Sequence, residues 1–329
     1  MTLKDFLDNW NSPSPTLTVH TSGSTGKPKP MTVEKQKMLN SARITCDFLS
    51  LHPGDRALLC LPLDYIAGKM MVVRSIERRL QLVCVEPSGH PLATLDSETP
   101  FDLVAMVPLQ VYNSLKVEEE RRRLMQARNL IIGGGAIEAD LERELRSFPN
   151  AVWSTYGMTE TLSHIALRRL NGKDADSWYT PFSSVGISQT EEGCLIVDAP
   201  LVHEGKLVTN DRVEIRGNRF RILGRKDNVV CSGGVKIQME EVEERLRPHL
   251  AAPFMVSRRK DAKFGEVVVL LTEDSQLEAV RDVCRRVLPK YWQPKDYCHI
   301  GRLPMTKTGK PARGEAERWV EENRTETRR

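Results

Sequence analysis

The most constraining feature of this chain is its rhythm: up to about Tyr156, short apolar runs alternate with longer amphipathic stretches. Runs over 56–61, 81–85, 102–107, 130–132 and 151–155 are dominated by apolar residues, as strands covered on both faces are. Between them, 33–49, 67–80 and 138–148 space their apolar residues as helices do. Such alternation predicts an α/β fold on a largely parallel sheet, with crossover helices over its faces. Over 163–223 the pattern changes to short strands separated by Gly, Asn and Pro, which predicts a small antiparallel or barrel-like subdomain. The polar turn Gly224-Arg225-Lys226-Asp227-Asn228 then opens a fresh α+β segment. Its expected helices cover 239–247 and 277–287, and its strands lie near 253–256 and 266–271. The expected organisation is a large N-terminal domain over 1–224, including the β-rich subdomain at about 163–223, and a smaller α+β domain over 225–329.

A length of 329 residues accommodates two domains. With 40% hydrophobic and 28% charged residues, the composition is that of a chain with packed cores. A net charge of +4 is too small a surplus to predict nucleic-acid binding. Arg121-Arg122-Arg123 follows directly on Glu118-Glu119-Glu120, the pattern of a solvated helix face. The seven cysteines, Cys46, Cys60, Cys84, Cys194, Cys231, Cys284 and Cys298, include no C-x-x-C pair. Reduced thiols in a cytoplasmic protein, several of them buried in strands, are expected. The N-terminus carries Asp5 and Asp8 where a secretory signal is apolar. Runs such as 267–271 fall far short of the roughly 20 residues of a membrane helix. A soluble protein without membrane insertion is expected.

The most informative stretch is Thr21-Ser22-Gly23-Ser24-Thr25-Gly26-Lys27-Pro28-Lys29, directly after the strand-like 16–20. Glycines let the backbone approach a ligand and aim N–H groups at it, and hydroxyls add donors. Lys27 and Lys29 supply positive charge against a polyphosphate. A flexible linker is the bland alternative, but linkers rarely carry two lysines between a strand and a helix. A P-loop is excluded. It needs four residues between its glycines and a hydroxyl residue after the lysine. Here two residues separate Gly23 from Gly26, and Pro28 follows Lys27.

The stretch 21–29 resembles the signature loop of the acyl-adenylate-forming superfamily, which includes acyl-CoA ligases, luciferases and peptide-synthetase adenylation domains. By that resemblance Thr21, Ser22, Gly23, Ser24, Thr25, Gly26 and Lys27 hold the phosphates of ATP. Further motifs follow in the family's order. Gly133-Gly134-Gly135-Ala136 resembles the segment beside adenine, although a glycine run also serves as a plain strand-to-helix turn. Tyr156-Gly157-Met158-Thr159-Glu160 is similar to the family's Y-G-x-T-E motif. The resemblance implies that Tyr156 stacks near adenine, Thr159 bonds to the phosphate and acyl carboxylate region, and Glu160 helps hold Mg²⁺. A hard divalent cation prefers carboxylate oxygen and bridges phosphates. Asp211 resembles the aspartate that accepts both ribose hydroxyls, which its two oxygens suit. Asn210 stands where the family has Gly, and Asn tolerates a left-handed turn. Arg225 resembles an arginine on ribose and phosphate, Asp227 the hinge, and Lys310, after Thr308-Gly309, the catalytic lysine of the C-terminal motif.

These resemblances imply two steps. A carboxylate attacks the α-phosphate of ATP and pyrophosphate leaves. A thiol, that of coenzyme A, then attacks the acyl-adenylate and AMP departs. The small domain is expected to rotate between them, presenting Ser232-Gly233-Gly234-Val235-Lys236-Ile237. Lys236 stands where relatives often carry Asn, and its charge would assist coenzyme A phosphates. The short segment before residue 21, and Leu61-Pro62-Leu63-Asp64-Tyr65-Ile66-Ala67-Gly68, resemble o-succinylbenzoate–CoA ligases of menaquinone synthesis. Tyr65 replaces a His of that segment, and either gates the acyl site or fills core. His164, Ser154 and Arg74 are residues able to meet a polar keto-acid. Two alternatives stand beside this one: another acyl- or aryl-CoA ligase or carrier-protein adenylating enzyme, and a non-catalytic nucleotide-binding relative. A homodimer is also compatible with the sequence.

Overall fold

The structure is a computed structural model that describes residues 1–20, 30–95, 99–306 and 311–323. It divides into two compact units. The first comprises Met1–Ser188, Ile196–Leu207 and Ile215–Arg221, and the second Gln189–Leu195, Val208–Glu214 and Ile222–Arg329.

The first unit opens with α1 (Leu3–Asn11), capped reciprocally: the Thr2 hydroxyl accepts from the Asp5 amide and the Asp5 carboxylate from the Thr2 amide. Strands β1 (Thr16–His20) and β2 (Pro30–Glu34) pair antiparallel, Thr16 opposite Glu34. The helix expected over 33–49 therefore begins later, as α2 (Lys35–Phe48), because Val33 and Glu34 belong to the hairpin ladder. There follow β3 (Arg56–Leu59), α3 (Ile66–Arg78), β4 (Gln81–Cys84), β5 (Leu103–Met106), α4 (Pro108–Leu115), α5 (Glu118–Gln126), β6 (Asn129–Ile132), α6 (Ala139–Leu145) and β7 (Ala151–Gly157).

Strands β4, β3, β5, β6 and β7 lie in that order, each pair parallel. β5 and β6 are buried at every position, which is why, Asn129 apart, their sequences read as Leu, Ile, Val, Ala and Met. Leu58, Val104, Met106, Leu130, Ile132 and Val152 pack with Leu124, Leu141 and Leu145 from α5 and α6. β8 (His164–Arg169) and β9 (Thr180–Pro181) extend the sheet antiparallel, so part of the β-rich stretch completes the main sheet. α4 begins at Pro108, a residue suited to a first helical position. In α5 the charge run is not wholly solvated. Glu120 is 2% exposed, accepts from Ser114 Oγ at 2.9 Å and pairs with His90 at 2.8 Å. Its neighbour Glu119, by contrast, meets Arg122 and Arg123 at the surface.

Strands β10 (Gly186–Gln189), β11 (Cys194–Asp198), β12 (Lys206–Arg216) and β13 (Arg219–Arg225) form a sheet in that order. The second unit continues with β14 (Val229–Ser232), β15 (Val235–Gln238), α7 (Met239–Leu246), β16 (Phe254–Asp261), β17 (Gly265–Thr272), α8 (Leu277–Val287), β18 (Asp296–His299) and α9 (Arg313–Glu322). Its sheet runs β15-β14-β17-β16, with β18 parallel to β17. Val230, Ile237, Val242, Leu246, Val256 and Leu270 form its core with Val280 and Cys284 of α8. Among the described residues no helix is long and apolar enough to cross a membrane, and all seven cysteines are free.

Candidate active site

In an open parallel sheet, ligands gather beyond the carboxyl ends of the strands, where crossover connections diverge. At that end of β6 stands Gly133-Gly134-Gly135. The Gly133 amide donates to Met106 O at 3.1 Å, and a Cβ there would lie 2.4 Å from Thr155 Oγ1. Gly134 takes φ +83°. The glycines thus let the chain thread between the ends of β5 and β7. Neighbouring β7 carries Tyr156 just before its last residue, and the Tyr156 ring meets Phe220 edge-on at 5.0 Å and Tyr179 at 5.9 Å. Ser154, two residues earlier, bonds the Tyr179 hydroxyl at 2.8 Å.

The register of β7 against β8 breaks between Tyr156 and Gly157, and the chain folds back on itself there. A Cβ on Gly157 would sit 2.3 Å from Ser163 O, so only glycine fits. Thr161, fully buried, knots this turn: its hydroxyl accepts from the Met158 amide at 3.1 Å and lies 2.8 Å from Ser163 O. Leu162, at φ +65°, closes it, and its amide donates to Thr159 O. Thr159 is 7% exposed. Glu160 is partly exposed and makes no ion pair or hydrogen bond with a described residue.

Behind this turn the structure brings together Arg74 and His164. Arg74 projects from α3 and is 2% exposed. It donates to Ser163 Oγ at 2.5 Å and reaches Met71 Sδ at 3.5 Å, while its Nε has no hydrogen-bond partner among the described residues. Ser163 Oγ lies 3.3 Å from His164 Nδ1, and His164 Nε2 lies 3.1 Å from Thr45 Oγ1, whose own hydrogen goes to Ser41 O. Following those hydrogens assigns the proton to Nε2 and leaves Nδ1 to accept from Ser163. The imidazole is neutral. Burial, and then the Arg74 charge, hold its pKa well below 6.5. Burial also lowers Arg74, to about 10, and no carboxylate pairs with it among the described residues. Ser154 stands apart from this group, with the Tyr156 aromatics.

In the second unit Asp211, Arg225, Asp227 and Asn210 converge. Arg225 meets Asp211 at 3.3 Å and Asp227 at 3.1 Å, and Asn210 donates to Asp227 at 3.2 Å. Gly224, at φ +143°, leaves room for Gln238, which donates to Arg225 O at 2.8 Å. The left-handed turn expected at Asn210 is absent: the residue lies within strand β12, where ladder pairing keeps the backbone extended. Asp227 lies in the short helical turn Lys226–Asn228.

The phosphate-loop residues Thr21, Ser22, Gly23, Ser24, Thr25, Gly26 and Lys27 lie outside the described residues, as does Lys310. The chain just beyond Lys310 is anchored, because Arg313 forks onto Glu243 at 3.0 and 2.8 Å and donates to Val256 O at 2.7 Å. Thr45, Thr161 and Ser163 had no sequence signal beyond being hydroxyl residues near motifs; only the folded chain shows what they hold. Tyr65 stands half-buried at the N-cap of α3.

Residues 7–210 match the family described as AMP-binding enzyme. The 2-succinylbenzoate–CoA ligase of Salmonella typhimurium is 29% identical over 92% of this chain and 68% of its own length. That of Bacillus subtilis is 27% identical over 90% of the chain and 67% of its length. Among solved structures, an acyl-CoA synthetase (AMP-forming)/AMP-acid ligase II-like protein from Dyadobacter fermentans is 36% identical, with a TM-score of 0.66, covering 95% of this chain and 92% of its own. The o-succinylbenzoate coenzyme A synthetase of Bacillus subtilis, in complex with ATP and magnesium ion, shares the fold at a TM-score of 0.75 and 24% identity, over 91% of this chain and 69% of its own.

Proposed function

The chain belongs to the AMP-binding enzyme family, and from that membership we propose that it is an AMP-forming acid–thiol ligase that joins 2-succinylbenzoate to coenzyme A. One observation carries the choice of acid: a buried guanidinium, Arg74, without a carboxylate partner among the described residues, beside the turn that bears Thr159 and Glu160. A buried cation calls for an anion. 2-Succinylbenzoate has two carboxylates and a ketone, so one carboxylate reacts while Arg74 holds the other. Ser163, fixed as donor to His164 and acceptor from Arg74, keeps the guanidinium in place.

In the first step the reacting carboxylate attacks the α-phosphate of ATP, and pyrophosphate leaves. Negative charge on the phosphoryl oxygens demands compensation, which Thr21–Lys27 and Lys310 supply in this reading. Glu160 suits Mg²⁺: its carboxylate is free of partners among the described residues, and Mg²⁺ takes only one or two carboxylates besides phosphate and water oxygens. When bound there, the ion neutralises phosphate charge. Tyr156 and Gly133, Gly134 and Gly135 take adenine, and Asp211 and Arg225 the ribose. The reading divides the chain into a domain over 1–224 and a smaller one over 225–329 that turns at Asp227 to let the thiol in. In the second step the thiolate sulfur bonds to the acyl carbon and AMP leaves.

Tyr65, where related ligases carry His, favours a second reading, an aryl-CoA ligase for another aromatic acid. Pyrophosphate exchange with a panel of mono- and dicarboxylic acids, followed by mass spectrometry of the thioester, decides. Exchange fastest with 2-succinylbenzoate supports the proposal; exchange with none of the acids sinks it.

A further inference from the structure

Two polar side chains of the main sheet have no part in either half-reaction: Ser154 is buried and Arg168 nearly so. They stand opposite each other on β7 and β8, so they share a face of the sheet with Tyr156, two residues beyond Ser154. Tyr179 lies over that face. Its hydroxyl bonds Ser154 Oγ at 2.8 Å, and its ring centroid is 5.7 Å from the Arg168 guanidinium carbon and 5.9 Å from the Tyr156 ring. Tyr179 and Phe220 exchange backbone hydrogen bonds at 2.7 and 3.1 Å and stack at 5.5 Å, and Tyr156 packs against both.

Arg168 joins this aromatic group to α6. Its guanidinium forks onto Glu142 at 3.0 and 2.9 Å, and α6 starts shortly after Gly133-Gly134-Gly135. Two parallel bonds to one carboxylate fix direction as well as distance. The same guanidinium donates to Asp176 O at 3.1 Å. The Asp176 carboxylate in turn accepts from the Ser177 amide at 2.7 Å and pairs with Arg219, next to Phe220. A closed circuit results, from Arg168 through Asp176, Arg219, Phe220 and Tyr179 back to Arg168. Burial opposes the Arg168 charge, but the hydrogen bond to Glu142 and the nearby Tyr179 outweigh it and raise its pKa. The fork stays charged at any working pH.

We propose that Arg168 is a positioning residue for the nucleotide base. By tying α6 to β8 and holding Tyr179 against Ser154, it sets the spacing between the Tyr156 ring and Gly133-Gly134-Gly135, and with it the affinity for adenine. Attraction between flat groups falls steeply once they separate, so a slot held at one width favours a base. The inference rests on the reading that Tyr156 and the three glycines take adenine.

The test uses the full-length enzyme in pyrophosphate exchange at saturating acid, with ATP varied and with adenosine and tripolyphosphate as inhibitors. Arg168→Lys keeps the charge and loses the fork. In it, KM for ATP and the inhibition constant of adenosine each rise about tenfold, the cost of one misplaced stacking contact. The inhibition constant of tripolyphosphate, which has no base, stays put, as do kcat at saturating ATP and KM for the acid. Glu142→Gln and Tyr179→Phe move the same two constants in the same direction. The double variant Arg168→Lys/Glu142→Gln is no worse than Arg168→Lys alone, because both cut one tie. Matching thermal unfolding shows that the fold is intact, and if Arg168→Lys unfolds early, the other two single variants carry the test. Equal rises for adenosine and tripolyphosphate make Arg168 a structural residue and overturn the inference. An unchanged KM for ATP in all three variants also overturns it and leaves the adenine reading standing. If Tyr156→Leu leaves inhibition by adenosine unchanged, the adenine reading itself fails and takes the inference with it.

Discussion

Replacing Arg74 by Met separates a ligand-binding charge from a structural one. Burial pulls the guanidinium from its ordinary range down to about 10, a fall of roughly two powers of ten in proton affinity. At about 1.4 kcal/mol per power of ten, that is about 3 kcal/mol. Against it stands one charged hydrogen bond to Ser163, worth about 1.5–3 kcal/mol. Methionine keeps the aliphatic stem and fits beside Met71, so little packing is lost. The two terms leave the variant between unchanged and about 1.5 kcal/mol more stable. Function moves the other way. Losing the partner of a buried carboxylate costs about 2–5 kcal/mol in binding, so kcat/KM for a dicarboxylic acid falls by about 30-fold or more. A monocarboxylic aryl acid of similar shape, with nothing for Arg74 to hold, loses little. The assays are thermal unfolding and pyrophosphate exchange with both acids. A melting temperature lowered by several degrees, or equal loss with the two acids, refutes the assignment and makes Arg74 a structural residue.

Gly157→Ala forces a Cβ to within 2.3 Å of Ser163 O, so the turn carrying Thr159 and Glu160 must shift. The expected result is about 1–3 kcal/mol of lost stability and about 100-fold slower pyrophosphate exchange; exchange at the parent rate contradicts the turn's role. His164 gives a pH signature. The unfolded chain takes up a proton near 6.5 whereas the folded chain stays neutral until well below it, so His164's contribution is complete above about pH 6.5 and shrinks as pH falls. Denaturant unfolding between pH 7.5 and 4.5 should lose up to about 1.4 kcal/mol per pH unit from this group, and His164→Gln should flatten that part of the profile; an identical profile refutes it. Lys310→Ala should nearly abolish acyl-AMP formation from ATP yet spare thioester formation from synthetic acyl-AMP. Equal loss of both half-reactions contradicts a lysine that serves the first step alone.

Much of the architecture was legible because burial on both faces leaves a plain trace. β5 and β6, covered above and below by helices, admit almost nothing but aliphatic residues, and their runs stand out from the polar connections. Leu277–Val287 was equally plain, its apolar face repeating at helical spacing. Pro108–Leu115 was not foreseen as a helix, and Glu118–Gln126 was foreseen only as a solvated helix face around its charge run, without bounds. Both are short, and the second is so charged that its apolar face rests on few residues, Leu124 foremost. At 33–49 a hairpin claimed the first residues, and pairing partners that lie sixteen and eighteen positions away leave no local mark.

The order of the motifs, the glycine positions and the identities of Tyr156, Thr159, Glu160, Asp211 and Arg225 came from the sequence by itself, because close backbone approach and phosphate chemistry restrict which residue types serve. The path from Arg74 through Ser163 and His164 to Thr45 was decided only by the tertiary structure. Its members are scattered from 45 to 164, each ordinary where it stands. Packing three separate elements against one another makes one arginine a buried charge with no carboxylate partner among the described residues. Desolvation depends on what surrounds a side chain in space, and no stretch of sequence records that.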